Sequence, residues 1–90
     1  MSESSAGPRV VLRYWAGARQ AAGASEESVT AATLGAALDA ARSAHDAEFA
    51  RVLGICSFLV DEQPVGTREP GSVELADGAV IDVLPPFAGG

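Results

Sequence analysis

This 90-residue chain contains no lysine; its six basic residues are all arginine. A P-loop lysine, a Schiff-base lysine and a lysine general base are therefore excluded. A single cysteine, Cys56, rules out an internal disulfide, and with a single histidine, His45, it cannot build a structural zinc site. No metal centre is expected. Basic charge is scarce altogether: six Lys+Arg against twelve Asp+Glu give a formal net charge of -6, with a pI near 4.5. Such a chain repels phosphate backbones and anionic lipid, so neither nucleic acid nor membrane is an expected partner. The longest nearly apolar run, Val52 to Val60, falls far short of the roughly 20 residues a bilayer requires. Met1 to Ser5 carry no positive region ahead of an apolar stretch, so no export signal is read and a cytoplasmic location is expected.

What is present is ordinary globular composition, 48% hydrophobic and 20% charged, which at this length supports one core and one domain. Met1 to Pro8, small and polar and closed by Gly7-Pro8, read as a disordered N-terminal tail (1–8) ahead of a domain over 9–86. Val10, Leu12 and Tyr14 alternate with Val11, Arg13 and Trp15, predicting a strand with the first three inward. Gly17 to Ser25, rich in alanine and glycine, predicts a connecting loop with room for a short helical turn. A weak second strand over Glu27 to Thr30 then pairs back as a hairpin.

Thr33 is a suitable helix N-cap, and Leu34, Ala37, Leu38, Ala41 and Ala44 follow at the spacing of one buried helical face. Glu48, Phe49, Val52 and Leu53 predict a further helical turn stopped by Gly54, whose freedom at positive φ suits a helix end. Phe58 and Val60 then alternate with Ser57 and Leu59 in a third strand, predicted to end at Asp61-Glu62-Gln63-Pro64. Glu69-Pro70-Gly71 fits a type II turn, and Ala76-Asp77-Gly78 a turn into a last strand over Ala79 to Leu84. There Ile81 and Val83 face the core while Val80, Asp82 and Leu84 face out. The expected fold is α+β, a mixed sheet packed on one main helix.

The chain closes with Pro85-Pro86-Phe87-Ala88-Gly89-Gly90. At about 7% glycine usage, a Gly-Gly end arises by chance in roughly 0.5% of chains. The diproline stiffens the exit from the sheet, while Gly89-Gly90 has no side chains, so residues 87–90 read as a flexible tail able to enter a narrow site. An acyl-adenylate on the Gly90 carboxylate would convert a poor electrophile into one open to sulfur or amine attack. With Val10 to Ala16 opening the sheet, Thr33-Leu34 and Leu38 opening the helix, and Leu84-Pro85-Pro86-Phe87-Ala88-Gly89-Gly90 closing it, residues 9 to 90 resemble the MoaD/ThiS sulfur carriers. Within that group the likeness is greatest to the MoaD branch, the small subunits of molybdopterin synthase.

The resemblance implies a ubiquitin-like β-grasp and a reaction cycle in which Gly90 is the reacting residue and Gly89 keeps its approach narrow. An E1-like, MoeB-like adenylyltransferase would use ATP to adenylate Gly90, and a sulfur donor would convert it to a thiocarboxylate. The tail would then enter a MoaE-like large synthase subunit and give its sulfur to the pterin precursor of the molybdenum cofactor. On this reading the chain binds no cofactor and is the sulfur-donating subunit of a sulfurtransferase, not an enzyme by itself. The alternatives are a carrier for thiamin or another sulfur metabolite, and a ubiquitin-like interaction module that is never thiolated. Two departures from the family pattern are a longer Val65 to Leu75 segment and Asp61 in place of a common asparagine.

A carrier needs a docking face. If the inward set covers the helix, the opposite sheet face presents Trp15, Leu59, Val80 and Leu84, with Phe87 beside the tail, and these are the expected partner-binding residues. Trp15 could instead be core, and Arg13 either pairs with carboxylates at the dock or keeps the face soluble. Cys56, beside apolar Ile55 and Phe58, reads as a buried thiol, with a persulfide relay as the lesser reading. His45, near a helix end, reads as structural. Glu26-Glu27 and Asp61-Glu62 read as solvated surface rather than acid-base pairs.

Overall fold

A computed structural model describes residues 7–86 of the chain. Strand β1 (Arg9–Tyr14) leads through helix α1 (Ala16–Ala22) to β2 (Glu26–Thr30). Helices α2 (Leu34–Ala44) and α3 (Ala47–Leu53) precede β3 (Ser57–Val60), β4 (Gln63–Pro64), a 3-10 turn at Pro70–Ser72 and β5 (Val80–Leu84). The strands form one five-stranded sheet in the order β2-β1-β5-β3-β4. The adjacent strands β1 and β5 run parallel, and every other pair is antiparallel. This is the mixed α+β sheet of a β-grasp, with helices packed on one face.

Alternation along β1 buries Val10, Leu12 and Tyr14 to 2% exposure or less, and Ile81 and Val83 of β5 are fully buried beside them. Leu34, Ala37, Leu38 and Ala41 bring the apolar stripe of α2 into the same cluster. Ala44, which continues the spacing, is exposed because the helix ends there. Thr33 caps α2 by accepting from the Ala36 amide at 3.1 Å. Phe58 and Val60 are only partly buried, packed on the rim of the core.

Several local expectations are corrected. The segment after Trp15 is a full helix, α1, rather than a loop, closed by Gly23 at φ 74°. Ala18 is its one fully buried residue, with Ala21 and Ala22 partly buried three and four positions on; a stripe of three alanines beside other small residues is a weak helix signal. The link between β1 and β2 is thus a helix, and the two strands pair antiparallel as expected. The main helix is α2, as expected, and among the described residues two shorter helices join it on the sheet: the further turn expected at Glu48 to Leu53 is α3, capped by the Asp46 carboxylate on the Phe49 amide, and adds Phe49 and Leu53 to the core. Gly54 ends α3 at φ −65°, without using its left-handed freedom.

Asp61-Glu62 does not simply stop β3. Both residues have positive φ, 49° and 71°, and they form a two-residue reversal into the edge strand β4, where Pro64 is tolerated because one side of an edge needs no donor. The reversal is tied to β5: the Asp61 amide donates to the Val80 carbonyl at 2.8 Å, and the Asp61 carboxylate accepts from the Val80 amide at 2.9 Å. Glu69-Pro70-Gly71 is not a type II turn, since Gly71 is not among the positive-φ glycines. It belongs to the 3-10 turn, which packs so closely on α2 that a Cβ at Gly35 would lie 3.2 Å from the Gly71 nitrogen. Gly78, at φ 88°, does serve the turn into β5. Pro8, assigned to the tail from sequence, has its carbonyl bonded to the Ala31 amide at 2.9 Å.

A polar cluster closes one side of the core. The Tyr14 hydroxyl donates to Glu27 Oε1 at 2.8 Å, and His45 Nε2 lies 2.8 Å from the same oxygen. The Phe49 ring packs edge-on to Tyr14 and 4.4 Å from the His45 ring centroid. Burial and the Glu27 carboxylate push the Tyr14 phenol pKa up. Glu27 is therefore not the solvated carboxylate its sequence context suggests, whereas Glu26 is exposed.

Candidate functional site

Strand β5 ends where the candidate tail begins. It is hydrogen-bonded on both sides, with Val83 opposite Tyr14 and Leu84 opposite Ser57, so the backbone leaves the sheet from a fixed point. Pro85 is half-buried and Pro86 exposed. Phe87, Gly89 and Gly90, the residues expected to dock and to react, lie outside the described residues. Because β1 and β5 are parallel, the end of β1 lies at this same end of the sheet, and the Trp15 amide donates to the Val83 carbonyl at 3.2 Å.

The sheet face turned away from the helices carries the other expected docking residues. Register places Arg13, Asp82, Leu59 and Pro64 opposite one another across four strands. Val80 and Leu84 share this face as alternate residues of β5. Leu59, Val80 and Leu84 are half-buried and Trp15 is 44% exposed, so Trp15 is not core. Ile55, which the sequence offers only as a neighbour of Cys56, is 64% exposed.

The centre of the face holds what sequence reasoning missed. Asp82 faces out as predicted, yet it is only 4% exposed. Its Oδ1 accepts from Arg13 Nε at 2.9 Å and from Trp15 Nε1 at 2.9 Å, and the Arg13 guanidinium sits 5.6 Å from the Trp15 ring centroid. The sequence offers Arg13 a carboxylate at the dock or a solubilising role; the structure shows a third, an ion pair within its own sheet. Only the strand order reveals it, because the two residues are 69 positions apart.

Burial alone would push the Asp82 carboxyl pKa up; hydrogen bonds from Arg13 and Trp15, with the Arg13 charge, outweigh that and hold it below the usual carboxylate value. A lowered native value means that the unfolded state takes up the proton first as pH falls. The stabilisation is complete above about pH 4, the ordinary carboxylate pKa, and is lost as pH drops through the native value. Thermal melts between about pH 5 and pH 2 should therefore show a shallower acid decline in Asp82→Asn than in the unsubstituted protein. Equal slopes would mean the pair contributes nothing to acid stability.

Cys56 is half-buried, its thiol directed to the Val52 carbonyl at 3.2 Å, and burial raises its pKa. A raised thiol pKa disfavours the thiolate a sulfur relay needs. His45 is held in the cluster with Glu27 and Phe49. Among the described residues, no group of three or more His, Cys, Asp and Glu is placed to hold a metal ion, and no helix is long and apolar enough to cross a membrane.

The ThiS family model matches residues 12–90. The fold is similar to that of small archaeal modifier protein 1 from Methanosarcina acetivorans, with a TM-score of 0.79 at 21% identity over 92% of this chain and 97% of that one. For the protein of the same name from Haloferax volcanii the TM-score is 0.75 at 27% identity, over 91% and 99%. The complex of subunits 1 and 2 of the molybdopterin-converting factor from Helicobacter pylori also contains a similar chain, with a TM-score of 0.66 at 23% identity over 91% and 99%. No curated protein sequence matches the chain.

Proposed function

Because this chain belongs to the ThiS family, we propose that it is a sulfur carrier reacting through Gly90, and that it serves as the small subunit of a molybdopterin synthase. The observation that carries the reading is the family match itself, which runs from β1 through Gly89-Gly90 at residue 90. In the sequence those glycines come just after a diproline and Phe87-Ala88, and the strand before them is paired on both sides, which supports a reacting end carried from a fixed point of the sheet.

The chemistry runs in two displacements. With Gly90 as the terminal residue, a carboxylate oxygen attacks the α-phosphorus of ATP on an E1-like adenylyltransferase, and pyrophosphate leaves. Hydrosulfide from a sulfur donor then attacks the acyl carbon and AMP leaves, so the terminus becomes a thiocarboxylate. The large synthase subunit receives the tail and supplies the pterin site, where the sulfur passes to the precursor of the dithiolene. The similar subunit 1 chain, found in complex with subunit 2 in Helicobacter pylori, supports a large-subunit partner.

Intact-mass analysis after incubation with ATP, an E1-like adenylyltransferase and sulfide tests this. The expected result is replacement of one oxygen by sulfur at Gly90, followed by molybdopterin formation once the large subunit and cyclic pyranopterin monophosphate are added. A Gly90 that remains a plain carboxylate would overturn the carrier reading. Thiolation without molybdopterin would move the acceptor to thiamin thiazole or another sulfur metabolite.

A second reading, a ubiquitin-like modifier, is favoured by the likeness to the Haloferax volcanii modifier protein at 27% identity. It predicts an isopeptide bond from Gly90 to lysines of other proteins. Since the chain has no lysine, such conjugates would never extend into lysine-linked chains of itself.

A further inference from the structure

Among the described residues, Asp82 is the one buried polar or charged residue, and it is buried on the sheet face away from the helices. Its cover is Trp15 and Arg13, the two groups whose N–H bonds it accepts. Trp15 itself remains 44% exposed. The indole is thus held by its backbone bond to Val83, its side-chain bond to Asp82 and the guanidinium beside its ring, while much of its surface faces solvent.

An ion pair is an expensive way to cover a sheet. Removing a carboxylate from water costs free energy that an apolar side chain would not, and isosteric apolar replacements of such pairs are often neutral or stabilising. Leu59, directly opposite Asp82, already covers its part of the same row with a hydrocarbon side chain. What a carboxylate adds at position 82 is an acceptor that fixes the direction of the Trp15 indole. A large aromatic fixed before contact loses less conformational freedom on binding than one that must be ordered by its partner.

Resting on the carrier reading, we propose that Asp82, with Arg13 as its counter-ion, is a positioning residue that holds Trp15 in one pose, so that the carrier meets its activating enzyme with a rigid aromatic anchor beside the root of the tail. The partner surface is an apolar pocket shaped for an indole, and Asp82 acts on it only through Trp15.

Trp15 is the only tryptophan, so near-ultraviolet circular dichroism and time-resolved fluorescence anisotropy of the full chain report largely on this indole. Asp82→Leu should keep the far-ultraviolet spectrum, lose the sharp tryptophan bands and gain a fast nanosecond depolarisation. With an E1-like adenylyltransferase, its KM as the protein substrate should rise roughly 3- to 10-fold, the cost of ordering one side chain, with kcat unchanged. Asp82→Asn, which keeps an acceptor for the indole N–H, should restore both readouts most of the way. Trp15→Phe, an aromatic without an N–H, should raise KM by a similar factor and serves if Asp82→Leu does not fold.

Unchanged tryptophan signals in folded Asp82→Leu would overturn the positioning role. A freed indole with unchanged KM, or equal losses in the asparagine and leucine variants, would overturn its use in docking. If the unsubstituted protein is not adenylated at all, the carrier reading fails instead, and the docking role fails with it; the tryptophan signals then still decide whether Asp82 fixes Trp15.

Discussion

Removing Gly89 and Gly90 should leave the melting temperature of the domain unchanged and reduce thiocarboxylate formation to nothing detectable. The first half follows from the sheet: the last ladder pair of β5 is Leu84 with Ser57, and among the described residues the buried cluster holds nothing beyond Val83. The second half follows from the chemistry, because the new terminus would be Ala88, two residues short of the proposed reacting position and carrying a Cβ. Loss of reach and loss of a narrow stem act together. A milder variant, Gly90→Ala, keeps the length and the carboxylate but adds a methyl group next to the acyl carbon; displacement of a reacting group by about 1 Å costs on the order of 100-fold. Intact mass and the rate of pyrophosphate release measure both. If the truncated protein still forms an adenylate that sulfur can open, the terminus is not the reacting group and the carrier function falls.

The fold was legible where one physical signal dominated. Val10, Leu12 and Tyr14 in β1, and Ile81 and Val83 in β5, show the strict alternation that a half-buried strand requires, and all are buried as expected. The stripe from Leu34 to Ala41 and its Thr33 cap fixed α2 in the same way. Helix α1 was hard to read because the face it turns to the core is three alanines, Ala18, Ala21 and Ala22, which contrast little with their neighbours, and Gly17 and Gly23 look like loop residues. The Asp61-Glu62 reversal was illegible for a different reason. Neither residue is glycine, the usual mark of positive φ, and what holds the turn is a pair of bonds to Val80 that lies 19 positions downstream of Asp61.

The candidate site divided along the same line. Alternation alone assigns Trp15, Leu59, Val80 and Leu84 to one face; the register of β3 and β5 puts the last three there, and Trp15, just past β1, joins them through its indole bond to Asp82. Glu27 reads from sequence as a solvated carboxylate, because neighbours along a strand point apart, and Asp82 reads only as outward-facing, with no sign of its burial. Each is covered through partners distant in sequence: Tyr14 and His45 for Glu27, Arg13 and Trp15 for Asp82. Such pairings depend on which strands and helices become neighbours, and local pattern does not encode that.

Leu84→Glu is expected to leave the protein folded and to weaken its binding to the large synthase subunit by about 100-fold or more, the effect of placing a carboxylate in an apolar contact without a counter-charge. The structural half rests on register. Leu84 is half-buried on the outer face, while its neighbour Val83 is fully buried in the core, so the new charge stays outside the packed interior and should cost no more than about 1 kcal/mol of stability. The binding half rests on position: Leu84 is the last residue of β5, at the end of the sheet where the Trp15 amide bonds to the Val83 carbonyl. Any partner that receives the tail must pass over it. Thr30→Glu, which adds the same charge at an exposed site on the edge strand β2, controls for net charge and should change the dissociation constant by less than about twofold, the weight of a distant, screened charge. Calorimetric titration with the large subunit, beside thermal melts, separates the outcomes. Equal weakening by both substitutions would reduce the effect to overall charge. Unchanged binding of Leu84→Glu would move the dock off this face and onto another surface.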